Sequence, residues 1–252
     1  MLTKERLYYL MEKIDRDRIV HVKEVAKTLD VSESTIRRDL AQLEKDGKLC
    51  RIRGGAIKTG SEDIVTDHKE IMMSERMHIN FHAKQKICKK ASELVKDGEC
   101  VFIDGGTTLV PLIDFLQDRP IHIVTHNYLA VARLRNPKAQ VTVIGGDYLP
   151  HFDMGSGSMA TNDLNQFQFD HVFLGCAGID LVDDMSYTTE LATGEIKKIA
   201  FRNSVHRYLL IDSSKFQIRG FCKLEPLSKF DRIITNQCEL EEKLAENFLI
   251  AD

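Results

Sequence analysis

Apolar residues recur at helical spacing from the start of the chain, where Leu2, Leu7, Leu10, Met11 and Ile14 predict an amphipathic helix. Val22, Val25, Ala26 and Leu29 predict a second, shorter helix over 22–29, broken by Asp30-Val31-Ser32. Ser32 is placed to cap a third helix, because its hydroxyl can accept from an otherwise unpaired backbone N–H, and Glu33 suits the positive end of that helix. The third helix runs to about Lys45 and stops at Asp46-Gly47, where glycine takes the left-handed turn that ends helices. Residues 48–58 then alternate and turn at Gly54-Gly55, a small β-hairpin.

Residues 59–66 lack a periodic face and read as a linker, after which helical spacing resumes from about Asp67 to Lys96. Short apolar runs follow at 101–103, 121–124, 141–144, 171–174, 208–211 and 232–234. Helical stretches near 107–117, 128–135, 156–166, 190–203 and 239–248 lie between or after them. Strand and helix in alternation imply a mostly parallel sheet covered by helices. The pattern therefore divides the chain into a head over 1–58, a linker and start of a connecting helix over 59–75, and an α/β body over 76–252.

With 43% hydrophobic and 29% charged residues, neither a disordered tail nor a fibre is plausible. The net charge of -3 carries no nucleic-acid signature over the whole chain, but its distribution does. Residues 1–60 hold 14 basic against 10 acidic side chains, and the remainder holds 21 against 28. A basic head on an acidic body points to nucleic-acid contact at one end. Cys50, Cys88, Cys100, Cys176, Cys222 and Cys238 form no C-x-x-C pair, which reads as reduced thiols. The start carries no secretory apolar stretch and no membrane-length apolar run follows, so a cytoplasmic protein with no membrane partner is expected.

Projected at 100° per residue, the third helix places Ile36, Leu40 and Leu43 on one stripe and Ser34, Arg37, Arg38 and Ala41 on the far side. The stripe must pack on the first two helices, leaving the arginines outward in the layout of a helix-turn-helix whose second helix enters the major groove. Arginine's planar fork bonds two acceptors on a guanine edge or grips phosphate. Ser32, Ser34 and Thr35 at the helix start, and Arg51, Arg53 and Lys58 on a hairpin wing, complete the expected DNA-binding set. Arg37-Arg38 alone would fit a solvated basic helix equally well; the turn, cap and basic hairpin together favour DNA. The string from Val31-Ser32 through Thr35-Ile36-Arg37-Arg38-Asp39-Leu40 to Arg53-Gly54-Gly55-Ala56 resembles the DNA-binding head of the DeoR/GlpR-type family of bacterial repressors. The likeness extends over nearly the whole chain.

In the body, Val101 to Thr108 reads as a strand entering a glycine turn and then a helix. Gly105 and Gly106 let backbone approach a ligand, a helix start offers free N–H groups to an anion, and the hydroxyls of Thr107 and Thr108 add donors. Many strands end in such turns without a ligand, so the support lies in the other strand ends. These are Thr125-His126-Asn127, Gly145-Gly146-Asp147, Gly175-Cys176-Ala177-Gly178 and Asp212-Ser213-Ser214-Lys215. Ligands of open α/β sheets sit outside the carboxyl ends of the strands. The expected effector residues are Asp104, Gly105, Gly106, Thr107, Thr108, Thr125, Asn127, Gly146 and Lys215, with Lys215 as a positive charge for phosphate. These strings, with Glu195-Ile196-Lys197, resemble the sensor domain of the same family. That resemblance implies a fold similar to ribose-5-phosphate isomerase and glucosamine-phosphate deaminase, and a phosphorylated sugar as effector. Gly194 and Asp183-Asp184-Met185 depart from the family pattern.

His78 and His82 lie four apart but beside no zinc pattern, so no metal and no cofactor is expected. Asp104, Glu195 and Lys215 resemble an acid-base set, which keeps open a second reading, a sugar-phosphate isomerase or deaminase with an appended DNA-binding head. A DNA-binding scaffold without a small ligand is a third. The favoured reading is a homodimeric or homotetrameric repressor of a sugar operon, not an enzyme, released from double-stranded operator DNA by a phosphorylated sugar.

Overall fold

The structure, a computed structural model, describes residues 3–17, 19–46, 48–52, 54–58, 73–237 and 244–251. They fall into two compact units, a head and a body.

The head opens with α1 (Thr3–Asp17), β1 (Ile19–His21), α2 (Val22–Thr28) and α3 (Glu33–Lys45), followed by the hairpin β2 (Leu49–Ile52) and β3 (Gly55–Lys58). The apolar stripes meet in one core containing Leu10, Ile14, Val25, Ile36, Leu40 and Leu43. Burying each such side chain stabilises by about 1.5–3 kcal/mol. Ser32 caps α3 as its sequence predicts, its hydroxyl accepting from the Thr35 amide at 3.2 Å. β1 is not legible in the sequence: three residues of strand pair with β3 and make a three-stranded sheet in the order β1-β3-β2.

The body contains α4 (Met73–Arg76), α5 (Phe81–Ser92), β4 (Cys100–Ile103), α6 (Leu112–Leu116), β5 (His122–Thr125), α7 (Tyr128–Val131) and β6 (Gln140–Val143). A hairpin, β7 (Asp147–Leu149) and β8 (Met154–Ser156), leads into α8 (Gly157–Leu164) and β9 (Phe169–Leu174). Then come β10 (Gly178–Asp180), β11 (Met185–Thr188), α9 (Leu191–Arg202), β12 (Ser204–Leu210), β13 (Cys222–Pro226), β14 (Arg232–Asn236) and β15 (Phe248–Ala251). All six predicted apolar runs lie in one parallel sheet of order β15-β14-β12-β9-β4-β5-β6. From β4 the chain steps outward through β5 to β6, and from β9 outward the other way. Neighbours β4 and β9 therefore form the topological switch point, where the loops at their carboxyl ends separate and leave a crevice.

Several expectations are corrected. The helical region expected over 67–96 breaks between α4 and α5 at Asn80, whose φ of 53° lies in the left-handed region. Its first residues, 67–72, and the linker at 59–66 lie outside the described residues, as does the first half, 239–243, of the helix expected at 239–248; residues 244–247 form a bend and a turn and not helix. Where that helix was to end, Phe248 instead begins β15. The stretch at 107–117 is a series of turns with helix only over α6. The antiparallel sheet β10-β11-β13 and the hairpin of β7 and β8 have no counterpart in the apolar pattern, because their strands are three to five residues long and mix polar with apolar residues.

Gly146, between β6 and β7, has a φ of 108°, and a Cβ there would lie 2.3 Å from the Ser156 carbonyl oxygen. Gly146→Ala is expected to destabilise the body by about 2 kcal/mol or more, read as a lowered urea midpoint. An unchanged midpoint would mean that this glycine is not required by packing.

Candidate functional site

On the head, Arg37 and Arg38 project from the exposed side of α3, while the same helix is fixed from its buried side by a charge. Asp39 accepts from Arg6 of α1 through both carboxylate oxygens, at 2.7 and 3.2 Å. This forked pair locks the first and third helices together. Arg37 pairs with Glu33 at 2.8 Å and Arg51 with Glu44 at 2.7 Å, and both pairs are solvent-exposed. Arg37 and Arg51, on different elements, line one recess with Val22, Leu40, Gly54 and Gly55. Ser32, Ser34 and Thr35 cluster at the start of α3, with Ser32 Oγ 2.8 Å from the hydroxyls of both others. Arg53 lies outside the described residues, and the backbone of Lys58 belongs to β3.

On the body, a cleft opens at the switch point. Gly105 and Gly106 after β4, Gly175 to Ala177 after β9, Thr188 and Thr189 at the end of β11, and Thr193 and Lys197 of α9 line it. Met73 and Arg76 of α4, with Phe152 and Met154, form the remaining wall.

Beneath the glycines lies Asp104, fully buried, with Oδ2 accepting from the Gly175 amide at 2.9 Å and from Lys197 Nζ. His126 Nε2 stands 3.3 Å from its other oxygen. Burial alone would raise this carboxyl; the Lys197 ammonium, followed by the bond to His126, overrides it and holds Asp104 below the usual carboxylate range. Lys197 also donates to the Gly175 carbonyl at 3.2 Å, so one ammonium ties the loops after β4 and β9 to α9.

The residues expected to bind an effector separate into two groups. Gly105 and Gly106 line the cleft. Thr125 and Asn127 are fully buried behind it: the Thr125 hydroxyl donates to the Ile103 carbonyl at 2.6 Å, and Asn127 Nδ2 to the carbonyls of Asp104 at 3.1 Å and Gly106 at 3.4 Å. Asp104 likewise supports the wall. Thr107 accepts from Lys84 at 3.1 Å, and the Thr108 carbonyl accepts from Cys88 at 2.9 Å. Gly146 packs under Ser156. Lys215 sits in a short 3-10 turn after β12, charge-coupled to Lys84, and does not line the cleft.

The acid-base set does not assemble: Glu195 is exposed on α9, opposite the buried stripe that carries Lys197. The cleft cations that sequence reasoning missed are Lys197 and Arg76. Lys197 had a signal, since it completes the stripe Thr193, Ile196, Ala200, where a charge has no reason to be unless it is paired. His78 and His82 are both exposed, and among the described residues no group of side chains is arranged to hold a metal ion. No helix among them is long and apolar enough to cross a membrane.

Two family matches cover most of the chain, the DeoR-like helix-turn-helix domain over residues 6–62 and the DeoR C terminal sensor domain over 79–237. The chain is 33% identical over 245 residues to the uncharacterized HTH-type transcriptional regulator FruR of Bacillus subtilis (strain 168), covering 95% of this chain and 94% of that one. It is 34% identical over 241 residues to the lactose phosphotransferase system repressor of Lactococcus lactis subsp. lactis, covering 94% and 92%. Among solved structures, ribose 5-phosphate isomerase A from Methanocaldococcus jannaschii is similar over 54% of this chain and 55% of that one, at 18% identity and a TM-score of 0.41.

Burial pushes the Lys84 amine down to about 8; Asp212 opposes the shift, and Arg76 and Lys215 add to it. Between about pH 8 and the ordinary 10.5, the unfolded chain holds a proton that the folded chain has released, so stability rises with pH across that window. Lys84→Met removes this contribution. The melting temperature of the parent relative to the variant is expected to climb from pH 8 to 10.5 and to stay level below it; a flat difference throughout would refute the shift.

Proposed function

The chain belongs to the DeoR family, and from that premise we propose that it is a DNA-binding transcriptional repressor of a sugar operon, released from its operator by a phosphorylated sugar bound in the body. The observation that carries the reading is the pairing of an outward arginine face on α3 with a cleft at the switch point of the body sheet. The similar Lactococcus lactis protein, a lactose phosphotransferase system repressor, supports a sugar operon as the target.

Under this reading residues 1–58 form the DNA-binding head, 59–75 the linker and start of the connection, and 76–252 the sensor. Arg37 and Arg38 reach base edges or phosphates from α3, and Arg51, Arg53 and Lys58 neutralise backbone charge from the wing. Ser32, Ser34 and Thr35 donate to phosphate at the helix start. A homodimer or homotetramer presents two heads to repeated half-sites, in the cytoplasm.

Cleft chemistry supports an anion with hydroxyl groups. Among the described residues, the amides of Gly105 and Gly106 donate to no protein acceptor, and Lys197 and Arg76 supply positive charge. Thr188, Thr189 and Thr193 supply hydroxyls for a sugar, and Met73, Phe152 and Met154 an apolar wall. Thr107, Thr108 and Lys215 act from outside the lining, while Asp104, Thr125, Asn127 and Gly146 hold the loops in shape. With Asp104 committed to Lys197 and Glu195 turned away, binding rather than turnover suits the site.

Arg37→Ala and Arg38→Ala are each expected to weaken binding to the protein's own upstream DNA by about tenfold, since a bidentate base contact contributes about 1–3 kcal/mol. Unchanged affinity in both variants would remove α3 from recognition. In a gel-shift screen of hexose and pentose phosphates, one compound is expected to release the parent. Lys197→Gln should require about tenfold more of it, with smaller effects for Lys215→Ala and Thr107→Ala. Parent-like release in all three variants would discard the cleft as the effector site.

A further inference from the structure

Helix α5 grips the loop after β4 at two successive turns. Lys84 Nζ donates to the Thr107 hydroxyl at 3.1 Å, and Cys88 Sγ donates to the Thr108 carbonyl at 2.9 Å. Lys84 has a second partner of a different kind: Nζ donates at 2.6 Å to the carbonyl of Arg76, the last residue of α4. That carbonyl also receives the Ile79 amide at 3.2 Å. One ammonium therefore joins two walls of the cleft, because α4 supplies Met73 and Arg76 and the loop supplies Gly105 and Gly106.

Lys84 is 4% exposed and completes the apolar stripe Ile87, Cys88, Ala91 of α5. An apolar side chain of similar length would fill that position without the cost of desolvating a charge. What the ammonium adds is the connection. Its charge is supported by Asp212, which is itself held to Asn80, just before α5, by a 2.9 Å bond, and is opposed by Arg76 and Lys215.

We propose that Lys84 is a positioning residue that couples occupancy of the loop after β4 to α4, the first described element after the segment joining head to body in the chain. The proposal rests on the reading of the cleft as an anion site. Negative charge bound at Gly105 and Gly106 favours the ammonium form of Lys84 and strengthens its bond to the Arg76 carbonyl. Helix α4 is then held more firmly in the bound state than in the free one, the differential interaction that any ligand-driven switch requires.

Hydrogen exchange on the full chain, with and without saturating inorganic phosphate or glucose 6-phosphate, tests this. In the parent, ligand is expected to slow exchange over both 104–109 and 73–80. In Lys84→Met the first protection persists, while the second falls by about fivefold or more, the range of a typical coupling energy. Cys88→Ala, which loosens the loop without touching α4, keeps both. Should Lys84→Met fail to fold, Lys84→Gln reads the same way, being uncharged and too short to span both acceptors. Full protection of 73–80 in the lysine variant would overturn the coupling and leave the anion site standing. Loss of protection at 104–109 as well would make Lys84 a direct ligand and overturn the relay. No protection of 104–109 in the parent by either probe would remove the anion site and the proposal with it.

Discussion

The buried carboxylate of Asp104 sets the shape of the body. It stands where two halves of a parallel sheet diverge, and it is fully buried, so its charge is met by protein groups drawn from three directions. These are the Gly175 amide at the end of β9, the Lys197 ammonium from α9, and the His126 ring after β5. A buried ion is costly unless every lone pair finds a partner, and this requirement fixes the relative position of the elements that supply them. The glycines beyond Asp104 inherit that position. Gly106 and Gly175 face one another, and a Cβ built on either would stand in van der Waals contact, at 3.6 Å, with the Cα of the other. The cleft is therefore a consequence of satisfying one carboxylate, and its lining includes Lys197, the residue that satisfies it.

The same logic organises the helices. Four charged residues occupy positions where helical periodicity calls for apolar ones, and each marks a junction between elements: Arg6 with Asp39 joins α1 to α3, Lys197 joins α9 to two strand ends, and Lys84 joins α5 to α4 and to the loop after β4. A hydrophobic side chain at any of these places would bury more apolar surface but would not specify which neighbour to face. Directional bonds do, and all four residues sit within the stripes that also build the cores.

Much of this architecture was legible because the apolar pattern carries it. Strands of the central sheet are covered by helices on both sides, so they read as short apolar runs, and all six runs fell in place. Elements of three or four residues, such as β1, β7 and β10, are too short to leave a comparable trace and exist because a neighbouring strand already fixes their backbone. The last strand was hidden for a different reason: Leu240, Leu244 and Phe248 repeat at four-residue spacing, and pairing with β14 outweighs that local pattern at Phe248. At the site, the glycine turn after β4 could be found from sequence, but the roles of its neighbours could not. Thr125 and Asn127 look like ligand groups in a linear chain because both are polar and follow a strand. Only the fold reveals that their bonds are spent on the carbonyls of residues 103, 104 and 106. Conversely, Lys197 is 93 residues from Asp104, and no spacing rule links them.

A regulator of this kind needs a rigid reading surface and a responsive sensing one, and the bonding differs accordingly. In the head, α3 is pinned on its inner side by the forked Arg6–Asp39 pair, while Arg37 on its outer face and Arg51 on β2 hold solvated carboxylates, bonds that on the proposed reading DNA phosphates replace with little loss. In the body, the walls of the cleft are joined through the ammonium groups of Lys84 and Lys197. The strength of such bonds depends on the surrounding charge, and burial leaves that charge unscreened. On the proposed reading, an arriving anion therefore acts on contacts that already exist and needs to build none, so that a modest change in charge is felt by whole elements of the fold.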